Sequence, residues 1–331
     1  MAKLSMRRLV LVAILLAAVV VMLGAYTRLT DAGLGCPDWP GCYGQLTVPQ
    51  TEQQVSQANM AYPERPVEPH KAWNEMIHRY FAGALGLLVL FIFLASFMKR
   101  APHRPWRHPF MLLVVVVFQA ALGMWTVTMN LMPVVVMGHL LGGFTVISLL
   151  FLLYLRLKQI RIPGGDKHAK SLLKWLYLAL AIVVAQIALG GWTAANYAAV
   201  TCTTLPVCET DWLSRLDIVS AFTLPDNHTN YEFGVMNYDA RMTIHVLHRI
   251  GAVITVGYLL WLMFKIQRKS VSSIIRRLGL VMGGIVLLQF GLGISNVVFK
   301  LPISVAVAHN FVAACLLMSV VSLIYMVSRK A

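Results

Sequence analysis

Four histidines recur in one frame, each with a glutamine at a matching distance in its own half of the chain. His78 precedes His139 by 61 residues, His248 precedes His309 by the same 61, and Gln119 and Gln289 each stand 20 residues before the later histidine. An ionisable side chain inside an apolar stretch is costly in lipid unless it faces an interior site. Two imidazoles on facing helices of a bundle can hold haem iron from both axial sides. Two copies of the pair therefore imply two haem-sized sites. The competing reading is four histidines satisfied by hydrogen bonds within the bundle. Zinc fits less well, because the sequence has no tetrahedral set of cysteines and histidines at zinc spacing.

One position distinguishes the copies. Glu75-x-x-His78-Arg79 in the first corresponds to His245-x-x-His248-Arg249 in the second. A spacing of three puts Glu75 or His245 one turn outward on the face of the following histidine. A carboxylate there is a candidate general base or charge stabiliser; the plainer alternative is an acid that answers the helix dipole. His245 is a candidate for similar proton chemistry or for a hydrogen bond to a haem propionate. Arg28, Arg79 and Arg249 are candidate propionate partners, since arginine matches a carboxylate in two-point geometry. Neighbouring helix positions diverge by about 100°, so Arg79 and Arg249 have another helix or lipid head groups as alternative partners.

The elements that must carry these residues are apolar runs at about 9–27, 76–98, 109–129, 134–155, 175–195, 242–264, 279–298 and 303–327. A bilayer core needs roughly 20 residues of helix, and runs this long and uniform exclude barrel strands. The chain of 331 residues is 58% hydrophobic and 12% charged, against about 25% charged in soluble domains. That composition excludes a water-soluble enzyme, a disordered chain and a disulfide-stapled secreted module. The net charge of +15 is scattered over short loops, which argues against nucleic acid as partner. The opening run resembles a signal peptide but is long and lacks a clear cleavage site, so it is expected to be retained as the first span.

Charge fixes the expected orientation. The termini and the 99–108, 156–174 and 265–278 loops carry 20 basic residues and one acid, Asp166, whereas the opposite side carries 8 basic and 12 acidic residues. By the positive-inside rule both termini face the cytoplasm, and the 29–73 and 196–240 segments face outward.

The halves repeat beyond the histidines. Leu23-Gly24-Ala25-Tyr26-Thr27 corresponds to Leu189-Gly190-Gly191-Trp192-Thr193, and Gln119-Ala-Ala-Leu-Gly123 to Gln289-Phe-Gly-Leu-Gly293. Each repeat is thus a four-span unit, residues 1–156 and 175–331, joined by a cytoplasmic linker at 157–174. An even number of spans gives both copies the same orientation. The expected fold is an all-α membrane protein of eight helices in two parallel four-helix bundles, related by a pseudo-two-fold axis along the membrane normal.

Twelve residues after Gly24 and after Gly190 comes a cysteine, and six further on a second: Cys36 and Cys42, Cys202 and Cys208. An oxidising outside compartment and turn-forming residues between the sulfurs favour one disulfide per loop; the alternative is four free thiols. The Cys-x-x-Cys-His signature of covalent haem attachment is absent. Cys315, inside the last span, reads as a small packing residue.

The segment Gly24-Ala-Tyr-Thr-Arg-Leu-Thr-Asp-Ala-Gly-Leu-Gly-Cys-Pro-Asp-Trp-Pro-Gly-Cys42, with Glu75-x-x-His78-Arg79 and histidines 139, 248 and 309, resembles the haem A synthase family along essentially the whole chain. The resemblance implies oxidation of the C8 methyl of haem O to the formyl group of haem A for terminal oxidases, in a bacterial inner membrane with the haem sites toward the periplasm. It implies haem O between His78 and His139, a resident haem b on His248 and His309, and Glu75 acting near the methyl. The Cys36/Cys42 pair is associated with the catalytic side. Implied partners are haem O synthase and oxidase assembly factors; quinone or another electron acceptor, and a homo-oligomer, stay open. Two other readings compete: a dihaem b electron-transfer subunit acting with quinone, and a haem-binding oxidase assembly protein. Ala25 departs from a common second glycine. The stretch Asp226-Asn-His-Thr-Asn-Tyr-Glu232 has no assignment, and His228 reads as a solvent-exposed loop histidine.

Overall fold

The computed structural model describes residues 2–98, 106–160, 166–208, 211–225 and 228–329. Several expected features lie outside these residues: Lys99, Arg100, Arg104, Arg161 and Lys330 of the basic segments, and Asp226 and Asn227 of the unassigned stretch. The elements are α1 (Ala2–Leu29), α2 (Glu52–Ala61), α3 (Pro69–Met98), α4 (Arg107–Thr128), α5 (Pro133–Lys158), α6 (Lys167–Lys170), α7 (Leu173–Ala195), α8 (Ile218–Phe222), α9 (Tyr238–Lys269), α10 (Ser273–Val298) and α11 (Ile303–Ser328). Among the described residues, eight of these helices are long and apolar enough to cross a membrane.

Four helices begin well before their apolar runs, α1 at Ala2 and α10 at Ser273 among them. The α3 helix starts at Pro69 and α9 at Tyr238, so Glu75, His78, His245 and His248 lie inside formed helix rather than at its fraying start. For α9 the start is fixed by Asn237, whose side-chain oxygen accepts from the Ala240 amide at 2.8 Å, an N-cap that satisfies an otherwise orphaned donor. Proline at the head of α5 suits a position whose N–H has no intrahelical acceptor.

In the first half α1 packs on α3 and α5, and α4 packs on α3 and α5; in the second, α7 packs on α9 and α11, and α10 packs on α9 and α11. Helices α1, α5, α7 and α11 meet across the boundary. The tightest packing joins both halves: Leu112, Ile147, Leu150, Leu176, Leu259 and Leu262 are fully buried in one cluster. Val12, Leu15, Leu87, Val117, Val253 and Phe264 stay exposed, the outward apolar surface expected of lipid-facing helices.

The turns that aim the later histidines match in both halves. Asn130 and Leu131 before α5, and Lys300 and Leu301 before α11, have φ values of 46, 61, 56 and 63°. Leu131 N donates to Thr126 O at 2.8 Å and Leu301 N to Asn296 O at 2.7 Å.

Asp166 closes the inner side. Its carboxylate caps α6 by accepting from Ala169 N at 2.9 Å, and it accepts from Ser270 Oγ at 2.6 Å and from the Val271 and Ser272 amides at 2.9 Å. Burial opposes its charge, but the Ser270, Ser272, Ala169 and Val271 bonds outweigh that and hold the carboxyl below its ordinary 3.8. A depressed carboxyl stabilises the fold above its unfolded pKa, and the benefit disappears as pH falls through the lower folded value. Asp166→Ala is expected to cost about 1–3 kcal/mol at neutral pH, and the difference from the parent should shrink below pH 3.8. Thermal melts of detergent-purified protein across pH check this.

Candidate functional site

His78 on α3 and His139 on α5 face each other with ring centroids 6.5 Å apart and planes at 82°. Two imidazoles on either side of one metal ion, each nitrogen about 2 Å from it, have centroids roughly 6–6.5 Å apart. The first pair is therefore spaced for a single metal centre between the rings. In the second half, His309 on α11 lies within electrostatic reach of His248 on α9.

Each ring lies against a glycine of the neighbouring helix. A methyl group built on Gly24, Gly123, Gly190 or Gly293 would sit 3.0, 3.2, 2.9 or 3.2 Å from Cε1 of His78, His139, His248 or His309. Any larger residue would push the ring out of place, so these positions bring backbone and imidazole together. The Nδ1 atoms of His78, His139 and His309 are buried without a hydrogen-bond partner among the described residues. Buried polar atoms are normally paired. The facing His78 and His139 rings, each seated against a glycine, fit a bound haem iron, and His248 and His309 repeat the glycine seats. Among the described residues no group of three or more histidine, cysteine or acidic side chains could hold a metal ion, so the metal chemistry rests on the pairs.

The glutamines brace the later histidines. Gln119 Nε2 donates to His139 O at 2.7 Å, and Gln289 Nε2 lies 3.2 Å from His309 Nε2.

Glu75 and Arg79 join α3 to the first outer loop. Glu75 is 5% exposed; its Oε2 accepts from Cys36 N at 2.9 Å and its Oε1 from Arg79 Nη2 at 2.6 Å. Arg79 Nη1 also donates to the carbonyls of Asp38 at 2.9 Å, Pro40 at 3.4 Å and Gly41. The loop they grip is closed by the Cys36–Cys42 disulfide, with Cα atoms 4.8 Å apart. Asp38 turns it by accepting from the Tyr43 and Gly44 amides at 2.6 and 2.7 Å. Burial pushes the Tyr43 phenol up to about 12, so it stays protonated and donates to Pro66 O at 3.3 Å. The second half repeats the grip: Arg249 donates to Cys202 O at 2.6 Å and Thr204 O at 2.7 Å, beside the Cys202–Cys208 disulfide. Its counterpart of Glu75 is buried His245, whose Nδ1 has no partner among the described residues.

Arg28, Arg79 and Arg249, the expected propionate partners, also bond to the protein, and Arg249 Nε is buried without a partner among the described residues. Arg79 and Arg249 hold disulfide loops. Arg28 donates to Ala194 O at 2.6 Å, lies 3.8 Å over the Tyr197 ring and is 3.7 Å from Asp31, bridging the halves. A loop's return path decides these contacts, and helical periodicity does not reveal it. Arg241 was not visible as a site residue. It stands on α9 one turn before His245 and two before His248, and its Nε is buried with no partner among the described residues. The signal was its position at i, i+4, i+7 with the two histidines.

The unassigned stretch crosses to the first half. Asn130 Nδ2 donates to Thr229 O at 3.0 Å, Tyr231 N donates to Asn130 O at 3.0 Å, and Arg65 pairs with Glu232 at 3.2 Å. His228 is exposed and Cys315 is a part-buried free thiol.

Breaking a buried ion pair from one side costs about 3–5 kcal/mol. Arg79→Leu is expected to lose stability of that order and to speed reduction of Cys36–Cys42, read by thermal melt and thiol labelling.

A profile of the COX15-CtaA family, described as cytochrome oxidase assembly protein, matches residues 7–321. The chain belongs to that family. It is 50% identical over 313 residues to the haem A synthase of Shewanella oneidensis, covering 94% of this chain and 93% of that one. It is 25% identical over 317 residues to the haem A synthase of Mesorhizobium japonicum, covering 90% and 84%. It is also 25% identical over 341 residues to that of Caulobacter sp. strain K31, covering 96% and 94%. As a COX15-CtaA member, the chain is a multi-pass membrane protein of the oxidase-biogenesis machinery, and the likeness drawn from its opening signature extends over nearly its whole length.

Proposed function

We propose that this protein is a haem A synthase, oxidising the C8 methyl of haem O to a formyl group. Haem O lies between His78 and His139, in a first repeat spanning residues 1–156. A resident haem b lies between His248 and His309, in a second repeat spanning 175–331. One observation carries the assignment of roles: both histidine pairs rest on glycines at corresponding places, but among the described residues the position one turn outward is a buried carboxylate, Glu75, in the first repeat and buried His245 in the second. The matching turns and glycine contacts favour two parallel units related by a pseudo-two-fold axis along the membrane normal.

Turning a methyl into a formyl group removes four electrons, first to the alcohol and then to the hydrated aldehyde, which loses water. When bound, haem b supplies one-electron transfer. The protein's own residues supply placement and charge. His78 and His139 fix the plane of the substrate macrocycle. Glu75 provides a negative charge and a proton acceptor near the reacting edge, and Arg79 holds that carboxylate against the disulfide loop. Arg241, whose buried Nε has no partner among the described residues, provides a donor for a haem b propionate. The charge split supports cytoplasmic termini and periplasm-facing haem sites in a bacterial inner membrane. Haem O synthase and oxidase assembly factors then act before and after it.

Coexpression with a haem O source, followed by pigment extraction, tests the function. Haem A that forms only when this chain is present supports it; bound haem b with unchanged haem O would assign the chain to electron transfer instead.

A further inference from the structure

The two repeats differ at a second place, deep beside the ligands. Gln186 on α7 stands one turn inward of Gly190, and its Nε2 lies 3.0 Å from His248 Nδ1 while donating to His248 O at 2.9 Å. Of the four site histidines, His248 alone has its Nδ1 met by a side chain among the described residues. The amide has room because Gly251 on α9 faces it: a methyl group there would collide with Gln186 Oε1.

The first repeat lacks both features. The offset that aligns Gly24 with Gly190 places Val20 at the position of Gln186, and the offset that aligns His78 with His248 places Phe81 at the position of Gly251. Amide and glycine occur together in one copy and are replaced together in the other. Hydrogen bonding of the glutamine is a property of the second site alone.

We propose that Gln186 is a positioning residue for His248, fixing the orientation and tautomer of that imidazole through a side-chain bond, whereas Val20 meets His78 through its backbone alone. A glutamine amide suits either protonation state of the ring: its nitrogen donates to a bare Nδ1, and after a half-turn its oxygen accepts from Nδ1–H. The second arrangement is the one a ligand imidazole requires when its other nitrogen binds a metal, and it makes that ligand more basic. A resident cofactor gains from a ligand so held. The proposal rests on the assignment of haem b to His248 and His309.

The test uses full-length purified protein carrying haem b, as wild type, Gln186→Val and Gln186→Glu. Haem transfer to excess apomyoglobin and the reduction midpoint are measured on each. Loss of an outer-shell partner of a metal ligand typically costs 10–100-fold in affinity, so Gln186→Val is expected to release haem b at least about 10-fold faster, with a more positive midpoint. Gln186→Glu places a stronger acceptor against the ring and should move the midpoint the opposite way. Wild-type release and midpoint in both variants would overturn the proposal and leave the site assignment standing. Haem b that persists undiminished in His248→Ala would overturn the assignment itself, and the proposal with it.

Discussion

Glu75→Gln is expected to lower haem A formation by about 10²–10⁴-fold, the range of a lost general base or charge stabiliser, with the haem b spectrum intact. The substitution keeps the size of the side chain and an oxygen to accept from Cys36 N, but removes the charge that pairs with Arg79 at 2.6 Å. If Glu75 served the helix dipole alone, the loss would be about 0.3–1 kcal/mol, less than tenfold in rate. If it only held the disulfide loop, Arg79→Leu would impair turnover to the same degree, since both residues grip that loop. Time-resolved pigment chromatography should show haem O or the alcohol intermediate accumulating in Glu75→Gln, and a far milder defect in Arg79→Leu. Near-normal haem A yield in Glu75→Gln would remove this carboxylate from the chemistry.

His309→Ala and His139→Ala are expected to separate cofactor from substrate. A resident haem must stay bound between turnovers, so His309→Ala should strip most haem b from the purified protein and abolish conversion. His139→Ala should leave haem b content close to that of the parent and abolish conversion alone. The Gly123 and Gly293 contacts are alike at 3.2 Å, so the two substitutions open comparable cavities and differ in which site they empty. Pyridine haemochrome content per protein, beside conversion assays, reads both. Equal haem b loss from the two variants would contradict the division of labour.

The histidine frame was legible because a polar residue inside an apolar run stands out, and equal spacings of 61 and 20 residues do not arise from hydropathy alone. The eight spans were legible for the same reason, within a few residues at most ends. The starts of α1, α3, α9 and α10 were not, because their first turns carry polar residues and continue the helix beyond the apolar run. The glycines were visible as repeated letters, while their role as seats for the imidazoles depends on which helices become neighbours. Arg79 and Arg249 have loop carbonyls as partners, and a backbone carbonyl carries no residue-type signal. Gln186 is the instructive omission: a search for repeats rewards matching positions, and this residue matters where the copies differ.

The most direct measurement supplies purified wild-type protein with haem O and an electron acceptor, and follows extracted pigments and the haem b spectrum together over time. The account predicts that haem O declines, the alcohol appears and then haem A accumulates, while total haem b stays constant. Haem O that remains unchanged while haem b is reduced and reoxidised would contradict it.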